Sequence, residues 1–346
     1  MSLNTDVVLD LLEHLSLSDL ATFALLHRAL LDNARLLLYG RIHLVSDSAQ
    51  AAMLSRTLRD CAHLRRLVHH IVIHQSSGTA PLGQTAIVRE CDPAQWLGLL
   101  PTHCLQSLDI QGLVPTSAFF HYPAIMTVPR IVLRDHAFSL HNGMWVLLSS
   151  SHLHSLSVHL DPRAKFPGLM GRVPLEQLSV QSWAHSHATS QILDAVTPST
   201  LERFGLDVGH LVPEDAMVFS SHLRPHLASL KQLTLIIRSP TVPYIAFADE
   251  LIFQAHSLER LVISAEVRSP LLVAQLPKTL RSLTFVGEVI VSDKVLKETV
   301  STLQNLESLT TSCTNRVSHS IAEACRVADV VLYSLPCDLL SCGVMD

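Results

Sequence analysis

The feature that most constrains the fold is a six-residue pattern, Leu-x-x-Leu-x-apolar, that returns along most of the chain. Five strict copies, with polar residues in all three gaps, begin at Leu105, Leu153, Leu175, Leu230 and Leu280. In a chain that is 48% hydrophobic, chance gives fewer than about one such copy. Looser copies begin at Val68, Val128, Leu201, Leu258, Leu306 and Val327. From Leu105 onward the spacing averages about 25 residues, which indicates a repeat architecture.

Each copy predicts a short strand whose Leu positions point inward while the polar residues between them point outward. Helical patterns lie between the copies. One runs from Ser292 to Leu303 behind a Ser cap, and another opens at Pro213 with two acidic residues in its first turn. Strand and helix alternating at this period predict an α/β solenoid with a parallel sheet, because one repeat cannot bury its own apolar face. A period of 20 to 29 residues is typical of leucine-rich repeats.

The first 44 residues follow a different, helical pattern. Apolar residues recur at helical spacing at Val7, Val8, Leu11, Leu12 and Leu15 and then break at Leu17-Ser18-Asp19. Ser18 is interpreted as the N-cap of a second helix from Asp19 to about His27. A third helix is predicted from about Ala29 to Tyr39, where Gly40 stops it. The chain is therefore divided into a helical domain, 1–44, and a repeat domain, 45–346.

The N-terminal segment resembles an F-box. The resemblance rests on Leu3-Asn4-Thr5-Asp6-Val7-Val8-Leu9-Asp10-Leu11-Leu12 with Leu15-Ser16-Leu17-Ser18-Asp19-Leu20, and on Leu25 to Leu30 and Leu37-Leu38-Tyr39-Gly40-Arg41-Ile42-His43-Leu44. With the repeats that follow, nearly the whole chain resembles an F-box/leucine-rich-repeat protein. The resemblance implies a three-helix F-box followed by an irregular leucine-rich-repeat solenoid, a horseshoe-like parallel sheet with outer helices. The family's usual Asn or Cys falls on Leu113, Asp161 and Gly209, so no regular asparagine ladder is expected.

The same resemblance implies a function. In that family the F-box docks on the Skp-family adaptor of a cullin-type ubiquitin ligase core, and the repeats select a protein substrate. The adaptor-binding residues carried over from the motif are Leu3, Asn4, Val7, Val8, Leu11, Leu15, Leu17, Leu20 and Leu26. The chain would then be a non-catalytic substrate adaptor.

The residues between the inward Leu positions would line the concave face of the sheet and contact the substrate. The candidates are Arg130, Arg134, His159, Arg203, Asp207 and Arg260. Four of these are arginines in an otherwise small and neutral strip, which favours an acidic or phosphorylated substrate. The alternative is scattered surface charge without a binding role.

Charge and hydropathy exclude several classes of partner. Lys and Arg total 25 against 30 Asp and Glu, so the chain lacks the basic excess that nucleic-acid binding requires. No stretch approaches the roughly 20 apolar residues of a membrane span, and Asp6, Asp10 and Glu13 stand where a secretory signal would be basic or apolar. We expect no membrane association and a cytoplasmic or nuclear protein.

Catalytic and metal motifs were sought and not found. The chain has 21 His, including His152-x-His154 and His185-x-His187, but no HExxH element; its seven Cys lack zinc-site spacing. It also has no phosphate-binding glycine loop and no Gly-x-Ser-x-Gly element. The sequence therefore favours neither an enzyme nor a cofactor. The alternative function is a ligase-independent leucine-rich-repeat scaffold whose N-terminal helices only cap the solenoid.

Overall fold

The computed structural model describes residues 12, 14–26, 31–46, 48–74, 95–112, 116–138, 144–164, 172–184, 187–239, 245–264, 276–286, 292–312 and 318–335. The chain divides into two compact units, Met1–Ser155 and Leu156–Asp346. Both units are built from parallel strands with helices in the connections. This α/β repeat architecture agrees with the predicted fold class.

The first unit contains four strands that pair in chain order. Its helices are α1 (Leu17–Leu26), α2 (Leu31–Gly40), α3 (Ala49–Asp60), α4 (Ala62–Arg65) and α5 (Pro123–Met126), with 3-10 turns at Gln95–Leu99, Ser117–His121 and Met144–Ser149. Its strands are β1 (Arg41–Val45), β2 (His70–His74), β3 (Ser107–Gln111) and β4 (Arg130–Phe138). The pairs β1 with β2, β2 with β3 and β3 with β4 are all parallel.

Among its described residues, the second unit contains eight strands that follow the same plan and are joined by seven connections. Its strands are β5 (Ser155–Leu160), which begins at the boundary, β6 (Gln177–Ala184), β7 (Arg203–His210), β8 (Gln232–Ser239), β9 (Arg260–Ser264), β10 (Ser282–Val286), β11 (Ser308–Ser312) and β12 (Val331–Leu335). Its helices are α6 (His187–Ala195), α7 (Pro213–Leu223), α8 (Ile245–Gln254), α9 (Asp293–Thr302) and α10 (His319–Val327), with a 3-10 turn at Arg224–Ser229. Each strand lies beside its neighbour in chain order.

All five strict copies of the six-residue pattern form strands, as predicted. Their three apolar positions are buried to between 0 and 2% exposure in every copy. Each such side chain stabilises the fold by about 1.5 to 3 kcal/mol relative to an exposed position. The strands begin 22 to 29 residues apart, except for the 37 residues between the starts of β2 and β3. The repeat period read from the sequence is confirmed.

One loose copy of the pattern was wrong. Val327 is the last residue of α10 and is 73% exposed, so no strand begins there. The last strand is β12, in which Leu332 lies in register with Leu309. Helical packing overrides the apolar spacing here, because Ser318 caps the helix and Ile321 and Cys325 bury its inner face.

The sheet also begins earlier than the pattern search indicated. The first four of the five residues of β1 lie within the segment assigned to the helical domain, and β1 pairs with β2 over its whole length. Ile42 and Leu44 are its buried positions, at 4% and 7% exposure. The alternation of Ile42 and Leu44 with polar neighbours was visible in the sequence. The sequence analysis assigned these two residues to the end of the F-box-like segment and not to a strand.

The N-terminal helices form a small cluster of their own. Leu12 and Leu20 are buried at its centre, and Leu15, Leu37 and Leu38 pack against them. Helix α1 begins at Leu17, and the cap is Ser16, whose Oγ accepts a hydrogen bond from the Asp19 amide at 3.2 Å. The predicted cap, Ser18, therefore lies inside the helix. The predicted first helix lies mostly outside the described residues.

Successive repeats are joined by a ladder of polar side chains that replaces the asparagine ladder of regular arrays. The residue directly before five successive patterns bonds to a backbone carbonyl of the preceding repeat, at 2.7 to 3.0 Å. The five bonds run from Thr200 to Leu175, Ser229 to Leu201, Ser257 to Ala228, Thr279 to Leu258 and Asn305 to Lys278. These bonds satisfy carbonyls at the turns and link each repeat to the one before it.

A buried histidine, His226, predicts that the second unit loses stability in acid. His226 is 2% exposed, and its Nε2 lies 3.1 Å from the carbonyl oxygen of Leu193, so Nε2 carries the proton and donates it. Its Nδ1 is buried and has no hydrogen-bond partner among the described residues. Burial lowers the pKa of His226, against smaller opposing effects of the Leu193 carbonyl and Asp194.

Because the folded-state pKa lies below the unfolded value of about 6.5, the unfolded chain binds the proton more readily. We therefore expect the free energy of unfolding to fall as the pH drops below about 6.5. The variant His226→Gln should lose less stability than the wild type between pH 7.5 and 5.5, measured by urea unfolding. His256→Gln, at an exposed position, is the control. Equal pH slopes for His226→Gln and the wild type would contradict this account.

Candidate functional site

The polar residues of the second unit lie on the sheet face opposite the buried Leu positions, which we call the outward face. Parallel register aligns them in rows across the strands. The first row is Gln177, Arg203, Gln232, Arg260, Ser282 and Ser308, and the second is Ser179, Gly205, Thr234, Val262, Thr284 and Thr310. Neighbouring strands in such a sheet lie about 4.8 Å apart. The outward face is therefore a continuous, mostly small and polar surface.

Arg203 and Arg260, two of the predicted substrate contacts, lie on this face. Both side chains are exposed, and Gln232 lies between them in the first row. Neither forms an ion pair with any residue in the described part of the chain. These two guanidinium groups are available to a ligand.

Asp207 also lies on the outward face, but its carboxylate is already occupied. Its side chain is 6% exposed. Arg238 donates to it twice, from Nε to Oδ1 at 3.0 Å and from Nη2 to Oδ2 at 2.7 Å. This hydrogen bonding raises the pKa of Arg238. In this arrangement Asp207 holds Arg238 in place. His159, another predicted contact, is half-buried on β5.

The other two predicted arginines belong to the first unit. Arg130 lies in a row with Arg41, His70 and Ser107. Arg134 ends the row that contains Gln111, and its Nη2 lies 3.9 Å from Oδ2 of Asp109. The four arginines of the predicted strip are thus divided equally between the two units. Arg134 already has an ion-pair partner, Asp109, on the neighbouring strand β3.

An exposed tryptophan on the outward face was missed by the sequence analysis. Trp183 lies near the end of β6 and is 70% exposed. The neighbouring Gly209 lies under it. A Cβ at position 209 would be 2.6 Å from the Trp183 carbonyl oxygen and 3.1 Å from the ring atom Cε3. The His210 ring meets the indole edge to face, with centroids 5.9 Å apart. Because Gly209 has no Cβ, Trp183 can lie directly against it, and the large apolar indole ring stays exposed to solvent.

A small hollow opens on the outward face around Gly205. Its volume is about 50 Å³, and its lining includes Gln177, Ser179, Arg203, Gln232, Thr234 and Arg260. Because Gly205 has no side chain, backbone atoms form the floor of the hollow. Hydrogen-bond donors surround it on both sides.

A row of alternating charge runs along the start of the strands. Its members are Glu202, Lys231, Glu259, Arg281 and Glu307, joined by backbone hydrogen bonds from each to the one before it. Lys231 Nζ lies 2.7 Å from Glu202, and Arg281 Nη1 lies 3.2 Å from Glu307. All members of the row except Glu202 line a groove of about 770 Å³. Because Lys231 and Arg281 are each paired with a carboxylate, the groove offers a ligand no unpaired Lys or Arg among its described lining residues.

The structure describes few of the predicted adaptor-binding side chains. Leu20 is 4% exposed, and Leu15 packs against it in the N-terminal cluster. The residues Leu3, Asn4, Val7, Val8 and Leu11 lie outside the described residues, as do the side chains of Leu17 and Leu26. The two described members therefore contribute to the chain's own packing. Whether this segment docks on an adaptor stays a prediction.

The described residues contain neither a metal-binding cluster nor a membrane-spanning helix. No group of three or more His, Cys, Asp or Glu in the described ranges is arranged to hold a metal ion. Among the helices of the same ranges, none has the length and apolar character needed to cross a membrane.

No protein-family model matches the sequence, and no curated protein matches it significantly. Several solved structures are similar to it, including the following two. One is the leucine-rich repeat-containing protein LegL7 from Legionella pneumophila, at 13% identity and a TM-score of 0.46, covering 72% of this chain and 89% of that one. The other is TLR13 in a complex with ssRNA13, at 17% identity and a TM-score of 0.42, covering 77% of this chain and 35% of that one.

Proposed function

We propose that this chain is a non-catalytic protein-recognition module whose outward face in the second unit binds a protein ligand. The observation that carries the proposal is Trp183, a large ring held exposed on a polar sheet face. Buried interface centres are enriched in Trp and Arg, and this face presents both. Repeat arrays offer extended surfaces of this kind without a catalytic centre.

The test is affinity capture of the tagged full chain followed by mass spectrometry. Thr284→Arg places a long side chain in the second row of the outward face and should block docking. Thr302→Arg makes the same change on the exposed end of α9. We expect a set of proteins that the wild type and Thr302→Arg capture and Thr284→Arg loses. Identical sets for all three chains would contradict the proposal.

The finer proposal is that the N-terminal segment docks on a Skp-family adaptor, which would deliver the bound protein to a cullin ligase core. It is supported by the F-box resemblance of residues 3–44. It also agrees with two short helices, α1 and α2, packed around a leucine cluster.

A capping role for the same helices is favoured by their continuity with the sheet. Helix α2 runs into β1 without a break, and the His69 amide donates to the Gly40 carbonyl at 3.1 Å. An N-terminal cap covers the open end of a solenoid and needs no ligase. The two roles differ in what the segment binds.

Co-purification with a recombinant Skp-family adaptor separates them. Under the adaptor proposal, Leu11→Asp together with Leu15→Asp should abolish binding, since each replaces an apolar contact by a charge. Leu36→Asp, at a leucine that is 45% exposed on α2, is the control for added charge. Because Leu15 packs internally, helix content is checked by circular dichroism. If the wild-type chain does not bind the adaptor, the adaptor proposal fails and the capping role remains.

A further inference from the structure

The hollow around Gly205 has the size of a chemical group, not of a cofactor. Its volume of about 50 Å³ compares with about 30 Å³ for one water in the liquid. Pockets for drug-sized molecules or cofactors measure about 300 to 1,000 Å³. The hollow is also open on a broad sheet face. Its size and position fit the head group of a side chain that belongs to a docked polypeptide.

The lining of the hollow supplies hydrogen-bond donors from several directions. Arg203 and Arg260 lie two strands apart and both line it, with the Gln232 amide between them. The Gln177 amide and the buried Thr234 hydroxyl complete the set. A guanidinium group has five N–H donors and no acceptor. This set suits a ligand that carries many acceptor oxygens.

Three carboxylates near the hollow, those of Asp207, Glu202 and Glu307, are already paired with cations of the protein. Asp207 accepts two hydrogen bonds from Arg238, and Glu202 lies 2.7 Å from Lys231. Glu307 lies 3.2 Å from Arg281, whereas Glu259 lies between Lys231 and Arg281 in the same row without an ion pair in the described ranges. Arg203 and Arg260, in contrast, have no ion-pair partner within the described ranges. The two charged side chains that line the hollow itself are both arginines.

We propose that this hollow binds the phosphate group of a phosphorylated serine or threonine on the protein ligand, an inference that rests on the proposed function. A phosphomonoester carries nearly two negative charges and three acceptor oxygens, and arginine pairs with it in a bidentate manner. A carboxylate has two oxygens and one charge, so it leaves part of the donor set unused. The net charge of -5 argues against a nucleic-acid backbone as the source of the phosphate.

The test uses immobilised degenerate peptide pools with a central phosphoserine or a central serine, and the full-length chain in solution. We expect the phosphoserine pool to bind at least tenfold more tightly than the serine pool. Arg203→Gln with Arg260→Gln should remove that difference. The control is Arg224→Gln with Arg326→Gln, which removes the same charge from two exposed side chains outside the strands. It should bind within about twofold of the wild type.

Four results would overturn the inference. These are equal binding of the two pools, an equal loss in the control variant, competition by inorganic phosphate as strong as by the phosphopeptide, and stronger competition by a single-stranded oligonucleotide. The third would indicate a free-ion site and the fourth a nucleic-acid site.

The failure of this inference can be distinguished from failure of the proposed function. If the pools bind equally while Thr284→Arg still loses its captured proteins, this inference fails and the proposed function stands. If Thr284→Arg loses nothing, the proposed function itself fails.

Discussion

Replacing Leu233 by Asp is expected to unfold the second unit at room temperature. Leu233 is fully buried at the middle apolar position of its repeat, and β8 pairs with both β7 and β9 there. Removing a buried Leu side chain costs about 2 to 5 kcal/mol, and a buried carboxylate adds a desolvation penalty. A loss of this size is a large part of a total stability of about 5 to 15 kcal/mol. Thermal unfolding followed by circular dichroism measures it.

The adjacent residue is the matched control. Gln232 belongs to the outward face, so Gln232→Asp introduces the same side chain one position away but on the opposite face. We expect a change of about 0.5 kcal/mol or less, as for exposed substitutions in general. Comparable losses for the two variants would show that the inward and outward faces are wrongly assigned.

Trp183→Ala is expected to weaken ligand binding by about 30-fold or more without lowering the melting temperature. Truncating a central interface residue costs about 2 kcal/mol or more, and 1.4 kcal/mol corresponds to tenfold in affinity. Stability should be retained because the ring is 70% exposed and its main contacts are Gly209 and His210. Titration of a captured ligand by calorimetry measures the affinity.

Trp145→Ala is the control for the loss of an exposed indole. Trp145 is 38% exposed on the 3-10 turn Met144–Ser149 of the first unit, away from any strand. Its replacement should leave the affinity within about twofold. If both tryptophan variants bind like the wild type, Trp183 is not a contact and the observation that carries the proposed function is lost.

The repeat core was predictable because it follows from a strict local pattern. The inward Leu residues at 105, 153, 175, 230 and 280 were found from spacing alone, and all are buried. The pattern failed at Val327, where apolar spacing without strict Leu also fits a helix. It missed β1, because Ile42 and Leu44 lack the first Leu of the pattern.

The outward face was predictable in position but not in chemistry. Arg203 and Arg260 were identified by alternation, and continuing the same alternation past the six-residue pattern would have reached Trp183 and Arg238. The pairing of Asp207 with Arg238 could not be read from the sequence, since it joins residues 31 apart on different strands. The hollow depends on Gly205 lying between Ser179 and Thr234, which only the register establishes.

Site-specific photocrosslinking tests the central claim, recognition by the outward face, most directly. A photoreactive p-benzoylphenylalanine at Val262, in the second row of that face, is compared with the same residue at Glu298, exposed on α9. After irradiation of the full chain in its cell extract, we expect discrete protein adducts from position 262 and none from position 298. Adducts from position 298 alone, or the same adducts from both positions, would contradict the claim.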